Sequence, residues 1–176
     1  MKEKNRDVSQ TILMGISPKQ FYGLFTGKHP AIAKKMMPKK TEPPYEIFLY
    51  INNSKRRDET LYADLRVEDN PILLGSPYVP TTDEVEAGLE VLCSKVIAKC
   101  KCNRFETMRC SASGREQYSK DVGMTPNQLL DMCGNKDMGV WYISDLELLL
   151  PWRTLKDFDM EKPPQNWCYL LNGERR

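Results

Sequence analysis

Trp141-Tyr142-Ile143-Ser144-Asp145-Leu146 and, further on, Pro163-Pro164-Gln165-Asn166-Trp167-Cys168-Tyr169 decide how this chain is read. Each stretch ends in aromatic, β-branched or other strand-forming residues. The diproline cannot donate to a sheet ladder, so it marks where the last strand begins. Trp141 to Leu150 is read as a long strand ended by Pro151, and Asn166 to Leu171 as the last strand. Alternation along the first of these puts Trp141 on one face and Tyr142 with Ser144 on the other.

Working towards the N-terminus, the pattern of caps is repeated. Thr125-Pro126-Asn127-Gln128 starts a helix over about Pro126–Cys133, with Leu129, Leu130 and Cys133 apolar and Gly134 as its stop. Ser17-Pro18-Lys19-Gln20 does the same for a helix over about Pro18–Thr26, with Phe21, Leu24 and Phe25 on one face and Gly27 as its stop. In both, a hydroxyl caps the helix, proline fits the first turn and glutamine completes a capping box. Thr11 to Ile16 and Tyr45 to Ile51 are strand candidates. Val91 to Cys102 reads as a further strand, with Phe105 to Cys110 as its partner through a turn at Asn103-Arg104. Residues 28 to 44 read as a basic loop closed by Pro43-Pro44, and Ser111 to Gly123 as a polar loop. Strands with two short capped helices make an α+β domain.

The whole is expected to be one domain over 11–176, preceded by a flexible basic tail at 1–10. A variable excursion at 54–90 carries Pro71, Pro77 and Pro80 and a charged run. With 176 residues, 40% hydrophobic and 28% charged, the chain has the composition of an ordinary globular protein with one core. It contains no apolar run of membrane-spanning length. Met1 to Gln10 lacks the apolar stretch of a secretory signal, and a cytoplasmic location is expected. The six cysteines do not have zinc-site spacing, so no metal and no cofactor are expected; they read as free thiols packed as small apolar groups. Cys100 and Cys102, on one face of one strand, do not have disulfide geometry.

Charge is unevenly spread. Residues 1 to 40 carry nine lysines and arginines against Glu3 and Asp7, a net +7, which leaves −5 for the rest of a chain whose total is +2. Lys28, Lys34, Lys35, Lys39 and Lys40 cluster around one turn, the kind of footprint that meets phosphate.

The layout of strand, proline-started helix, Gly-Lys turn and the two closing motifs resembles the ASCH family, of the PUA-like group, in its bacterial and phage form. The resemblance runs over nearly the whole chain apart from 54–90. It implies a small, mostly antiparallel β-barrel flanked by two short helices, and RNA or a nucleotide as the partner. The family's cleft motif reads roughly Gly-Lys-Lys-Thr-x-Glu-x-Arg, and in members that hydrolyse acetylated cytidine a lysine, a threonine and a glutamate are catalytic. Here the stretch is Gly27-Lys28-His29-Pro30-Ala31-Ile32-Ala33-Lys34, so only Gly27 and Lys28 match fully. The expectation is a binding domain without the family's usual catalytic set, its catalytic residues unassigned. Lys28, Lys34 and Lys35 would meet phosphate, and Tyr142, Ser144, Gln165 and Asn166 would meet a base. A lone His29 without a neighbouring hydroxyl reads as an exposed loop residue. One alternative is a hydrolase acting on RNA or nucleosides, an amidohydrolase or ribonuclease, drawing on Lys28, His29, Glu106 or Glu116. Another is a bacterial or phage regulatory module that binds a protein partner through 54–90. No membrane partner is expected.

Overall fold

Ser17 and Thr125 each accept the backbone N–H of the glutamine three residues on, and each glutamine side chain returns the bond to the cap N–H. These reciprocal bonds start α1 (Pro18–Phe25) and α3 (Pro126–Cys133). Between them lies α2 (Ala112–Val122), capped by Ser111 and ended by Gly123 with φ 67°. The computed structural model describes residues 10–38, 41–52 and 93–170. The excursion at 54–90 and most of the 1–10 tail lie outside these residues. Among the described residues no helix is long and apolar enough to cross a membrane.

The strands are β1 (Thr11–Ile16), β2 (Ala31–Lys34), β3 (Tyr45–Ile51), β4 (Val96–Met108), β5 (Met138–Arg153) and β6 (Trp167–Tyr169). They form one curled half-barrel sheet in the order β2-β5-β4-β3-β1-β6. Only β1 and β3 run parallel; the other pairs are antiparallel.

Alternation sorts the side chains onto two faces. Ile12, Met14 and Ile16 of β1, Ile32 of β2, Ile47, Leu49 and Ile51 of β3, and Trp141 of β5 fill the inside of the curl, with Phe21 of α1 packed on them. The opposite face is also covered. Ala31, Ala33, Met108, Met138 and Val140 pack under Tyr118 and Val122 of α2 and Leu129 and Cys133 of α3. Leu13, Tyr50 and Val96 pack near Leu155 and Phe158 of a short 3-10 turn.

The fold departs from the sequence expectations at several places, and the strand expected from Val91 begins only at Val96, after a turn at 93–95. Residues 31–34 are strand β2, not part of a basic loop, because Ala-Ile-Ala-Lys alternates between two buried faces. Ser111 to Gly123 is helical: Ser111 caps it, and burial of Tyr118 and Val122 suffices to dock an otherwise polar face. Asn103-Arg104 is no turn; β4 runs through it to Met108. Pro151 does not end β5, which continues to Arg153 at its exposed end. Where the sequence suggested two helices, the described residues form three α-helices.

The Ser144-Asp145 pair has a local role. On either side of it β5 and β4 lose register, Lys101 pairing with Ser144 while Lys99 pairs with Glu147. Asp145 sits at φ 52°, a conformation aspartate tolerates better than most residues. Such a bulge bends a strand and deepens the local twist, which is what a curled sheet requires.

Candidate functional site

On β2, Lys34 shares the inner face with Ile32, and its side chain enters the barrel. It is 7% exposed. Its Nζ donates to the carbonyl of Gly15 in β1, on the far side of the opening. That carbonyl is available for a physical reason. The β1–β6 ladder begins at Met14 and Trp167, so Gly15 lies past its end. The Gly15 N–H is taken by the Asn166 carbonyl at 3.1 Å, and the ammonium takes the oxygen. No carboxylate pairs with Lys34 among the described residues, and burial pushes its pKa down to about 8.

A second bond closes the same opening. Trp167 Nε1 donates to the carbonyl of Met36 at 2.8 Å, fastening β6 to the segment that follows β2. Trp167 belongs to an aromatic wall: Phe105, Tyr45 and Trp167 stand 5.0, 5.2 and 5.4 Å from Trp141, and Tyr169 stands 5.0 Å from Trp167. Thr41 hydroxyl bonds join Tyr45 and Tyr169 at its edge. The buried Trp141 Nε1 has no acceptor among the described residues.

Beside this wall lies an open groove of about 750 Å³. Its apolar surface comes from Met36, Met37, Pro38 and Phe105, and its polar rim from Lys35, Thr107, Asn135, Lys136 and Asp137. Gly139, the β5 partner of Lys34, leaves room for it. A Cβ there would meet the Phe105 ring at 2.7 Å and Met37 at 3.2 Å. The groove thus starts at Lys35, one residue beyond the buried Lys34.

The sequence-derived site residues divide. Lys34, Lys35 and Asn166 are drawn together at this opening, Asn166 by its backbone. Lys28 is exposed beyond the end of α1, 5.7 Å over the Tyr22 ring, and is not among the groove's lining residues. The three lysines thus do not share one surface, because Lys34 is turned inward. Tyr142 lies on the opposite face of β5, where its hydroxyl donates to Asp121 of α2 at 2.7 Å and Arg104 stacks at 3.6 Å. Burial, with the Asp121 bond, pushes the Tyr142 pKa up to about 12. Ser144 contacts the Lys101 carbonyl at 3.5 Å, and Gln165 is exposed before β6.

His29 is not an exposed loop residue. Its ring is wedged between α1 and α2, so close to both that a Cβ on either Gly23 or Gly123 would overlap it. Burial lowers its pKa, against a bond to the Lys120 backbone. Sequence reasoning missed Met36, Met37, Phe105, Thr107, Asn135, Lys136 and Asp137. The usable signal was the Gly134-Asn135-Lys136-Asp137 turn directly before β5, since turns at strand ends rim a barrel.

A curled, mostly antiparallel sheet with helices packed on it makes an α+β domain. More narrowly, the chain has the ASCH fold. The solved ASCH structure from Zymomonas mobilis matches it with a TM-score of 0.60 and 11% identity, over 93% of this chain and 90% of that one. A serine-to-alanine mutant of the Zymomonas protein matches with a TM-score of 0.61 and 11% identity, over 94% and 91% of the two chains. A tyrosine-to-phenylalanine mutant matches at 0.60 and 11%, over 93% and 91%. No family model matches the chain, and no curated protein matches it in sequence.

Proposed function

We propose that this ASCH-fold domain binds RNA or a nucleotide in the groove beside its aromatic wall. The observation that carries the reading is the composition of the groove: two lysines, Lys35 and Lys136, above an apolar surface of Met36, Met37 and Phe105. Lysines meet phosphate as point charges, while an apolar and aromatic surface accepts the face of any base. Lys34 supports the reading from behind. An ammonium buried without a carboxylate gains from an anionic or carbonyl-bearing ligand brought near it.

A second reading, a hydrolase acting on RNA or nucleosides, is favoured by one observation. A lysine held near pKa 8 in a closed setting is poised for proton transfer near neutral pH. Ile32 at the family's acidic position is packed into the core and supplies no such group, which leaves Lys34 as the buried titratable group of that stretch.

Titration of a labelled single-stranded RNA at two salt concentrations tests the binding reading. Lys35→Ala/Lys136→Ala should weaken binding and flatten the salt dependence by roughly 1.4 in the log–log slope, about 0.7 for each lost phosphate contact. Lys28→Ala, outside the groove, should change either quantity less. Equal affinity and equal slope for the wild type and the double variant would remove the groove as the binding site. Turnover of the RNA or of an acylated nucleoside that disappears in Lys34→Met would favour the hydrolase.

A further inference from the structure

Two cysteines that the binding reading does not use lie side by side. Cys110 follows the end of β4 and Cys133 ends α3. Their sulfurs are 2.7 Å apart, roughly 0.7 Å longer than a disulfide bond. Both thiols also point at one acceptor, the Gly134 carbonyl, at 2.9 and 3.7 Å. The pair is set up on both sides. The Cys110 N–H donates to Asp137 Oδ1 at 3.0 Å, and the Gly134 N–H closes α3 on the Leu130 carbonyl. Burial and the Cys110 contact raise the Cys133 pKa, and the charge of Arg115 of α2 opposes them; the Arg115 Nε has no acceptor among the described residues.

We propose that Cys110 and Cys133 form a peroxide-oxidised dithiol site whose disulfide clamps one wall of the groove. Cys110, the more exposed of the two, attacks hydrogen peroxide as its thiolate. The O–O bond breaks, a sulfenic acid forms on Cys110 and one water leaves. The Cys133 sulfur then attacks the Cys110 sulfur, the S–O bond breaks and a second water leaves. Two thiols are oxidised by two electrons in all, and the peroxide is reduced to two waters. An added dithiol reverses the change by exchange.

What sets the pair apart is the short distance between its sulfurs, since burial raises Cys133 as it raises the other buried thiols. Cys100 and Cys102 are buried inside the barrel, where burial raises their pKa, that of Cys102 to about 11. Burial likewise raises Cys168. The consequence of the bond is local. Asn135, Lys136 and Asp137 line the groove and directly follow the Cys133-Gly134 cap. A disulfide ties that cap covalently to the end of β4 and so fixes this wall.

The test is peroxide treatment of the full chain, started from fully reduced protein. Alkylation of remaining thiols and peptide mapping then locate any bond. The expected result is a single disulfide joining the Cys110 and Cys133 peptides, reversed by dithiothreitol and absent from Cys110→Ser and Cys133→Ser. Hydrogen–deuterium exchange over residues 134–137 should slow in the oxidised wild type and stay unchanged in peroxide-treated Cys110→Ser. Alkylation of both cysteines after peroxide, or a bond to any other cysteine, overturns the site. A mapped Cys110–Cys133 bond with unchanged exchange over 134–137 overturns the clamp. Neither readout involves RNA, so failure here is separable from failure of the binding reading.

Discussion

The Lys34 ammonium holds the Gly15 carbonyl across the opening of the barrel, joining the β2 edge of the sheet to β1 near its other edge. A strand pair would close the sheet with many backbone bonds; here one buried charge takes up a carbonyl that the ladder leaves over. The arrangement is costly, since desolvation is opposed by no carboxylate among the described residues. Groups kept at such cost concentrate at functional sites.

The cost has a pH signature. The folded pKa of Lys34, about 8, lies below the 10.5 of an ordinary lysine. Between these values the unfolded chain still holds the proton that the folded chain has lost. Stability from this group is therefore lowest below pH 8 and rises as pH climbs towards 10.5, by on the order of 3 kcal/mol at most. Urea unfolding across this range should show the rise in the wild type relative to Lys34→Met, which has no such group. Lys34→Met should be at least as stable as the wild type at neutral pH. A wild type whose profile parallels Lys34→Met throughout would mean that the ammonium is solvated.

Trp167 makes the other closing bond, to Met36, and packs edge-on against Trp141. Trp167→Phe keeps an aromatic ring but removes the N–H and some volume. About 1 kcal/mol is expected for the bond and roughly as much again for the lost packing. Because Met36 lines the groove, the same change should weaken RNA binding more than Lys28→Ala does. Chemical denaturation and the RNA titration read the two effects separately. The expected drop in stability with unchanged affinity would detach Trp167 from the groove.

Much of this fold was legible because its local signals agree with one another. The two Ser/Thr-Pro-x-Gln caps specify α1 and α3 almost to the residue, since a capping box has few alternatives. Thr11–Ile16 and Tyr45–Ile51 are strands as their composition suggests. The ASCH fold expected from the whole layout is the one the solved Zymomonas structures share with this chain. What failed did so through competing signals. The density of lysines around residue 34 reads as a solvated loop, and this masked the alternation that buries Ile32 and Lys34 together. Helix α2 presents few apolar residues, so its docking through Tyr118 and Val122 depends on a tertiary surface invisible to local pattern. The groove is assembled from three separate segments, and no spacing rule connects Lys35 to Lys136.

Two glycines with similar backbone angles should respond differently to alanine. Gly27 has φ 74°, and a Cβ added there would have nothing within 4 Å, so Gly27→Ala should cost about 1 kcal/mol of backbone strain alone. Gly123 has φ 67°, and a Cβ there would overlap the His29 ring. Gly123→Ala should add a packing penalty of roughly 1–3 kcal/mol to the same strain. Thermal unfolding of the two variants measures the difference. Equal losses would show that His29 has room to move away.

His29 also sets an acid limit. Burial lowers its folded pKa below the ordinary 6.5, with Lys28 and Lys19 adding repulsion and the Lys120 and Lys28 backbone opposing it. A depressed folded value means that the unfolded chain takes up the proton first as pH falls. Stability from neutral His29 is therefore fully present above 6.5 and is lost as pH drops through the lower folded pKa. The loss should appear at the α1–α2 contact, since the ring lies between Gly23 and Gly123. The unfolding free energy measured from pH 7 down to pH 5 should fall more steeply for the wild type than for His29→Gln, which cannot titrate. NMR titration of this single imidazole gives the folded value directly. A measured value at or above 6.5 would mean that the ring is hydrated, and the wedge between the two helices would have to be abandoned.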